Sequence, residues 1–181
     1  MTSIKRPGRV AVLLLLMFIV SASTPKIMRA VDTHAKVKTI FIYNFSKYIE
    51  WPVAMHEGDF VIGVYGDYPA IYEELTKMAR TKKVGSQNFK IVKYNSISDI
   101  KKCHILYIVR DRSKELPKVI AKLRGKNTLI VTDSEGLARR GAAINFYNFQ
   151  SKQRMEINPK NIQKYKLKVS GQLLALSKVI K

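Results

Sequence analysis

Large apolar side chains recur every three or four residues in the segment that precedes Pro52. The stripe consists of Val37, Phe41, Phe45 and Tyr48, and it is broadened by Ile40 and Tyr43. This spacing predicts one amphipathic α-helix, with Asp32 or Thr33 as its N-cap. We expect the helix to end near Trp51, because Pro52 lacks an amide hydrogen and disfavours a helical conformation at the residue before it.

Four aromatic rings lie along this predicted helix or at its end: Phe41, Phe45, Tyr48 and Trp51. Each ring can bury about 150–250 Å². No other short segment offers as much apolar surface, so the rings predict that the helix packs against a sheet in the core. A ligand-binding aromatic stripe is the alternative interpretation.

Short runs rich in β-branched and aromatic residues follow the helix and alternate with helical segments. The predicted strands are residues 60–65, 89–94, 105–109, 128–132, 142–147 and 153–157, and the predicted helices are residues 70–79, 116–123, a segment starting at Asn158, and residues 170–180. Continuous apolar runs are typical of strands that are buried on both faces. The fold class is therefore an α/β layered sandwich: a mainly parallel sheet with helices on both faces and an antiparallel strand pair near the C-terminus.

The N-terminus has the order of a secretory signal peptide. Three basic residues within positions 5–9 precede an apolar run of 11 residues, 10–20, and the small residues 21–23. The run is short for a bilayer span. We predict that residues 1–22 are a cleaved signal peptide, that residues 23–34 are a lead-in, and that residues 35–181 form one domain exported to the periplasm. An uncleaved membrane anchor is the alternative.

The chain is strongly basic, with 33 Lys and Arg against 13 Asp and Glu and a net charge of +20. Cleavage after residue 22 removes three positive charges and leaves about +17. Export makes a nucleic acid an implausible natural ligand. The charge instead predicts an acidic protein partner or an anionic membrane surface.

The residues that carry chemistry do not form a catalytic or metal-binding pattern. The three histidines are far apart in the sequence, and neither a phosphate-binding P-loop nor a Gly-x-Ser-x-Gly elbow is present. Cys103 is the only cysteine, so no intramolecular disulfide can form, and its apolar surroundings predict a buried small hydrophobe. An intermolecular bridge or a reactive thiol is the minority interpretation. We expect a protein that is not an enzyme and that holds no metal or cofactor.

Acidic residues directly follow three of the predicted strands, at Asp67, Asp111 and Asp133. The carboxyl ends of parallel strands line a crevice in which ligands tend to bind. Asp67 and Asp133 are therefore the best candidates for polar contacts with a small ligand. Aspartate also suits turns and helix caps, which is the simpler interpretation.

The opening helix carries a resemblance to a known family. Residues 38–52, KTIFIYNFSKYIEWP, resemble the start motif of the YfiR family of exported bacterial regulators almost position for position. Later blocks of the same family resemble residues 60–67, 129–133, 136–138, 141–146, 155–158 and 167–176, so the resemblance spans about residues 35–181. It implies an α/β sandwich that commonly dimerises. Characterised relatives use disulfides for redox control, which Cys103 alone cannot reproduce within one chain.

The resemblance also implies a function. Members inhibit an inner-membrane diguanylate cyclase by binding its periplasmic sensing domain, and release of the inhibition raises cyclic-di-GMP and promotes biofilm formation. A membrane histidine kinase with a similar sensor domain is a second possible partner. The alternative function is a periplasmic small-ligand receptor that feeds a membrane kinase or another sensor.

Six residues are candidate contacts with the partner: Tyr43, Lys47, Tyr48, Trp51, Glu156 and Asn158. For the three aromatic residues the competing interpretation is core packing. For Asn158 it is a helix N-cap, because Pro159 suits the first position of a helix.

Overall fold

The computed structural model describes residues 32–180, and the described part begins with the cap of a helix. The side chain of Asp32 accepts a hydrogen bond from the amide of Ala35 at 3.0 Å, which satisfies one of the free amide groups of the first turn. The prediction of a cap at Asp32 is thereby confirmed. The predicted signal peptide, residues 1–22, and most of the lead-in lie outside the described residues.

Five α-helices and ten strands follow one another along residues 32–180. The helices are α1 (Thr33–Tyr48), α2 (Pro69–Thr81), α3 (Leu116–Lys122), α4 (Pro159–Lys164) and α5 (Gly171–Ala175). The strands are β1 (Ile49–Glu50), β2 (Phe60–Tyr65), β3 (Lys83–Val84), β4 (Gln87–Tyr94), β5 (Ile105–Ile108), β6 (Leu129–Thr132), β7 (Ile144–Phe149), β8 (Lys152–Ile157), β9 (Lys168–Val169) and β10 (Lys178–Val179). Short 3₁₀ helices lie at Val53–Met55 and Arg110–Glu115.

Eight of these strands form one sheet in the order β10-β8-β7-β6-β5-β2-β4-β3. The five central strands from β7 to β4 run parallel, whereas β8 pairs antiparallel with β7. Every residue of β5, Ile105–Ile108, is 0% exposed, so helices and loops cover both faces of the sheet at its centre. The predicted fold class is confirmed, including the antiparallel pair near the C-terminus.

The buried face of α1 differs from the predicted stripe. Ile40 is 53% exposed, whereas Ile42 and Phe45 are fully buried. The buried residues of α1 are Ala35, Lys38, Thr39, Ile42, Phe45 and Ser46. Apolar residues occupy most positions from 40 to 45, so hydrophobicity alone does not select one side of the helix, and packing against the sheet decides it. The prediction of a core helix holds for Phe45, which stacks on Phe146 with a ring-centroid distance of 6.0 Å.

The first helix also ends earlier than predicted. It stops at Tyr48, and the next two residues form β1, which pairs antiparallel with β9 (Ile49 opposite Val169). The ladder gives the backbone of Ile49 and Glu50 hydrogen bonds that a further helical turn before Pro52 would lack. Trp51 therefore lies beyond the helix, 5% exposed and edge-on against Phe60 at 5.0 Å.

The predicted helix over residues 170–180 is wrong in its second half. α5 covers Gly171–Ala175 only, and Lys178–Val179 form β10, parallel to Glu156–Ile157 of β8. The amide of Ile180 donates to the carbonyl of Ile157 at 2.8 Å. Without β10, strand β8 would be left with one unpaired edge, and the β-branched residues Val179 and Ile180 suit an extended strand there. None of the helices within residues 32–180 combines the length and the apolar character that a membrane crossing requires.

Candidate functional site

The order in which the chain adds parallel strands to the central sheet reverses between β2 and β5. The connection after β2 leads through α2 to β4 on one side, and the connection after β5 leads through α3 to β6 on the other. Ligands of open α/β sheets bind at such a reversal, outside the carboxyl ends of the strands. A cleft of about 770 Å³ lies at this point, and we call it the switch-point cleft. Its lining is Asp32, His34, Lys38, Asp67, Tyr68, Val109, Arg110, Asp111, Asp133 and Asn148.

The turn after β2 depends on a glycine that closes one wall of the cleft. Gly66 has φ +109°, a conformation that L-residues rarely adopt. A Cβ at this position would lie 2.0 Å from Cγ2 of Val109. The absence of a side chain therefore lets the turn that carries Asp67 approach the segment after β5.

A buried ion pair joins α1 to the end of β6 inside the switch-point cleft. Nζ of Lys38 lies 2.6 Å from Oδ2 of Asp133, and the two side chains are 6% and 9% exposed. The hydroxyl of Tyr107 donates to the same oxygen at 3.1 Å, and the guanidinium of Arg110 lies 3.6 Å from Oδ1. Burial, together with the charge of Asp133, raises the pKa of Tyr107 well above its ordinary value. The Tyr107 hydroxyl therefore stays protonated and keeps donating to the carboxylate.

The cap of α1 is also part of the cleft wall. The hydroxyl of Tyr68 donates to Oδ2 of Asp32 at 2.8 Å. Burial acts to raise the pKa of Asp32, but the hydrogen bonds from Ala35, Tyr68 and His34 outweigh it, so the pKa is lowered. Burial and the contact with Asp32 raise the pKa of Tyr68. Asp32 is therefore a charged group that both starts the helix and faces the cleft.

Acidic and basic groups are balanced in and around the switch-point cleft. Its lining contains Asp32, Asp67, Asp111 and Asp133 together with Lys38 and Arg110, and the guanidinium of Arg112 lies 3.9 Å from Asp111. At the rim, Asp67 is 70% exposed and pairs with Lys93 at 2.7 Å. Such a site can bind a small molecule with an amine group, and the 68%-exposed Arg110 can reach an anionic group. Within residues 32–180 no three His, Cys, Asp or Glu side chains are placed to hold a metal ion.

The two aspartates that the sequence singled out, Asp67 and Asp133, thus line the same cleft. Sequence reasoning missed the basic residues beside them, Lys38 and Arg110. A signal for Lys38 exists, because it lies three residues after Ala35 and four before Ile42, on the stripe that the structure buries. Arg110 follows a buried strand and carries no comparable signal.

The six candidate partner contacts do not form one surface. Lys47, Tyr48 and Trp51 line a second cavity of about 510 Å³ beside β1 and β9. Glu156 lies on β8 with its side chain mostly buried and Lys178 at 3.6 Å, and it lines a different cavity.

Only some of the six are accessible to a partner. Lys47 is exposed, with its ammonium 4.3 Å from the ring centroid of Tyr43, which is half-buried. Asn158 is 8% exposed; it caps α4 and donates to the carbonyl of Ala138 at 3.0 Å. Trp51 and Asn158 therefore have structural roles, and the side chain of Glu156 is only 13% exposed. Tyr43, Lys47 and Tyr48 present more of their surface to solvent.

His104 and Cys103 are buried beneath the second cavity. Nδ1 of His104 accepts from the amide of Val61 at 3.0 Å, and Nε2 lies 2.7 Å from the carbonyl of Met55. These partners fix the neutral imidazole, and burial lowers its pKa. Cys103 is 1% exposed, and burial raises the pKa of its thiol to about 12, so the prediction of a buried small hydrophobe is confirmed.

Comparison with solved structures finds similarity in fold. A crystal structure described as the ABC domain in complex with L-Trp from Streptococcus pneumonia has a TM-score of 0.50 and 11% sequence identity. The similarity covers 66% of this chain and 55% of that one, so this chain spans about half the length of its structural relative. Comparison with curated proteins gives no match.

Comparison with protein-family models gives a match over nearly all of the described residues. The model described as YfiR/HmsC-like matches residues 35–178, which include α1, the central sheet and the switch-point cleft. The chain belongs to the YfiR/HmsC-like family.

Proposed function

We propose that this chain is an exported regulator that binds the periplasmic domain of an inner-membrane diguanylate cyclase and holds the enzyme inactive. The observation that carries the proposal is the family match over residues 35–178. Repression lowers cyclic-di-GMP and biofilm formation, and loss of binding releases the cyclase. The chain acts by association alone, so no catalytic step is part of the proposal.

The groove between α1 and α2 suits such a partner. It has a volume of about 370 Å³ and is lined by apolar groups of Ile40, Tyr43 and Met78. The charged residues of its lining are Lys36, Lys82 and the ion pair of Lys77 with Glu74, so its rim carries a net positive charge. Ile40 is 53% exposed, although it lies on α1, a helix that also carries four aromatic residues. Apolar residues flanked by lysines match an amphipathic helix whose flanks are acidic.

The binding experiment compares two exposed apolar residues of the same chain. The purified chain is titrated with the soluble periplasmic domain of the diguanylate cyclase proposed as its partner. Ile40→Asp should weaken binding at least tenfold, because it places a charge in the apolar groove. Val53→Asp is the matched control, since Val53 is 81% exposed and lies outside the groove. Equal affinities for the two variants would show that the partner docks elsewhere.

Lys47→Glu tests the accessible end of α1 in the same titration. The substitution reverses a charge that is exposed and that takes part in no ion pair within the described residues. We expect slower association with an acidic partner and little change in stability. An unchanged association rate would remove Lys47 from the interface.

The switch-point cleft favours a second candidate function, a small-ligand receptor that feeds a membrane sensor. Its mixed charges suit a small zwitterion or an amine. A ligand that binds only the folded state stabilises it by about 2.7 kcal/mol when its concentration is 100 times its Kd, and the unfolding temperature rises accordingly. A thermal-shift screen of amines and amino acids tests this function. Asp67→Asn serves as the matched variant, since Asp67 is exposed and its loss should weaken ligand binding without unfolding the chain. An unfolding temperature that no compound in the panel raises would exclude the receptor function.

A further inference from the structure

Unpaired positive charge is concentrated on three segments of the chain. Residues 116–127, 137–142 and 158–166 contain nine Lys and Arg residues and no Asp or Glu. All nine side chains are exposed. Together they account for nearly half of the net charge of +20.

Hydrogen bonds join these segments into one continuous surface, which we call the basic face. The side-chain amide of Asn161 donates to the carbonyls of Ala138 and Ala142, both at 2.9 Å. The side-chain amide of Asn127 donates to the carbonyl of Tyr165 at 3.0 Å. The loop before β7 therefore meets α4, and the turn after α3 meets the end of α4. Gly141 in that loop also lies against Ile120 of α3, because a Cβ there would be 2.5 Å from Cδ1 of Ile120.

No ion pair within the described residues neutralises the basic face. None of its nine cationic groups forms one there, whereas Lys77, Lys93 and Lys168 each do so elsewhere in the molecule. Of the acids nearest in sequence, Glu115 pairs with Arg112 and also acts on Lys118, Glu156 pairs with Lys178, and Glu135 lines the cavity beside β7. Like charges at this density repel one another, so the face is stabilised by an anionic surface placed against it.

The basic face has no apolar anchor. The large apolar residues that are exposed within residues 32–180 lie outside its three segments: Ile40, Val53, Phe149, Leu176 and Val179. Stable protein interfaces are centred on buried aromatic or apolar groups. Binding to anionic lipid headgroups, in contrast, needs only clustered Lys and Arg, each worth about 1 kcal/mol near the surface.

We propose that the basic face binds the phosphate headgroups of an anionic membrane, so that the exported chain lies on the bilayer beside its membrane-embedded partner. This binding does not depend on which signalling protein is regulated. It orients the chain with α3, the loop before β7 and α4 toward the lipid.

The test is cosedimentation of the chain, purified from the periplasm, with lipid vesicles. Vesicles of phosphatidylcholine are compared with vesicles that also contain phosphatidylglycerol. We expect binding to the second kind only, and a steep decrease as salt is added. An apolar N-terminal segment, if retained, would bind both kinds of vesicle, so the difference between them reports the charge.

Two triple variants with the same change in charge locate the binding. Lys126→Gln, Arg139→Gln and Arg140→Gln together should weaken binding to the anionic vesicles about 100-fold, or about fivefold per charge. The control is the triple variant Lys83→Gln, Lys90→Gln and Lys101→Gln. These lysines are also exposed and unpaired within the described residues, and the control should change affinity less than about threefold.

Three outcomes would overturn the proposal. In the first, adding phosphatidylglycerol to the vesicles has no effect on binding. In the second, the two triple variants lose affinity equally, which would mean that net charge alone is sensed. In the third, the basic-face variant keeps its affinity for vesicles but no longer binds the soluble domain of the partner, so that the face contacts a protein instead.

Discussion

One charged side chain fastens the first helix to the carboxyl edge of the sheet. Lys38 lies on the buried face of α1, and its ammonium contacts Asp133 at the end of β6. Tyr107 and Arg110 complete the surroundings of the carboxylate. Because the pair lines the switch-point cleft, it links the position of α1 to the shape of that cleft.

Breaking this pair should cost more than removing it. Lys38→Met leaves the Asp133 carboxylate buried without its closest counter-charge, and we expect a loss of about 3 kcal/mol in the free energy of unfolding. Lys38→Met combined with Asp133→Asn should recover more than half of that loss, because no buried charge is left. Urea unfolding of the unmodified chain and the two variants measures both values. A double variant less stable than Lys38→Met would contradict this account.

His104 should make the fold sensitive to mild acid. Its pKa is lowered by burial, so the unfolded chain binds a proton more readily than the folded chain. Its contribution to stability is therefore complete above the unfolded pKa of about 6.5 and is lost as the pH falls through and below that value. His104→Gln should flatten the dependence of the urea midpoint on pH between about 7.5 and 5.5. A variant with an unchanged slope would assign that dependence to other groups.

The sequence predicted part of the cleft at this scale. Asp67 and Asp133 were found because each follows a strand, and parallel strands bring such positions together. Lys38 was not found, because a lysine in a helix is expected on its solvent side. Its spacing from Ala35 and Ile42 places it on the buried stripe, but its partner lies 95 residues away, and no local pattern identifies that partner.

At the scale of elements, the turn between β2 and α2 shapes the cleft through Gly66. Gly66→Ala should lower the free energy of unfolding by more than about 2 kcal/mol, because a left-handed backbone and a clash with Val109 act together. Gly58→Ala is the matched control. Gly58 also has a positive φ, +68°, but a Cβ there meets nothing within 4 Å, so we expect a loss of only about 1 kcal/mol. Equal losses would mean that the close approach to Val109 is unimportant.

The strands were more predictable than the ends of the helices. β2, β5 and β6 are short apolar runs bounded by turn residues, and their strand identity follows from composition. α1 and α5 both give way to strands, β1 and β10, whose partners are β9 and β8. A two-residue strand has almost no sequence signature, since its hydrogen bonds depend on a distant segment.

At the scale of the whole molecule, charge is sorted by location. The basic face carries nine cations that form no ion pair within the described residues, whereas three of the four aspartates of the switch-point cleft are paired with Lys or Arg. Net charge is visible in the composition, but its separation into an unpaired basic face and a charge-balanced cleft depends on the fold. The proposed membrane and partner contacts use the positive surfaces and leave the cleft open.

Association with the partner should depend on salt. Long-range attraction between a basic chain and an acidic domain accelerates encounter and is screened as the Debye length shrinks from about 10 Å at 0.1 M salt to about 3 Å at 1 M. We expect the association rate to fall at least tenfold over that range, with a smaller change in the dissociation rate. Stopped-flow or surface-based kinetics give both rates. A salt-independent association rate would rule out electrostatic steering.

The central claim is that the chain represses a membrane-embedded diguanylate cyclase from the periplasmic side. The most direct measurement is the rate of cyclic-di-GMP synthesis by the full-length cyclase in membranes, before and after the purified chain is added to the periplasmic face. The account predicts that synthesis falls as the chain is added, and that the Ile40→Asp variant at the same concentrations leaves synthesis near its starting rate. Synthesis that stays constant at every concentration of the folded chain would contradict it.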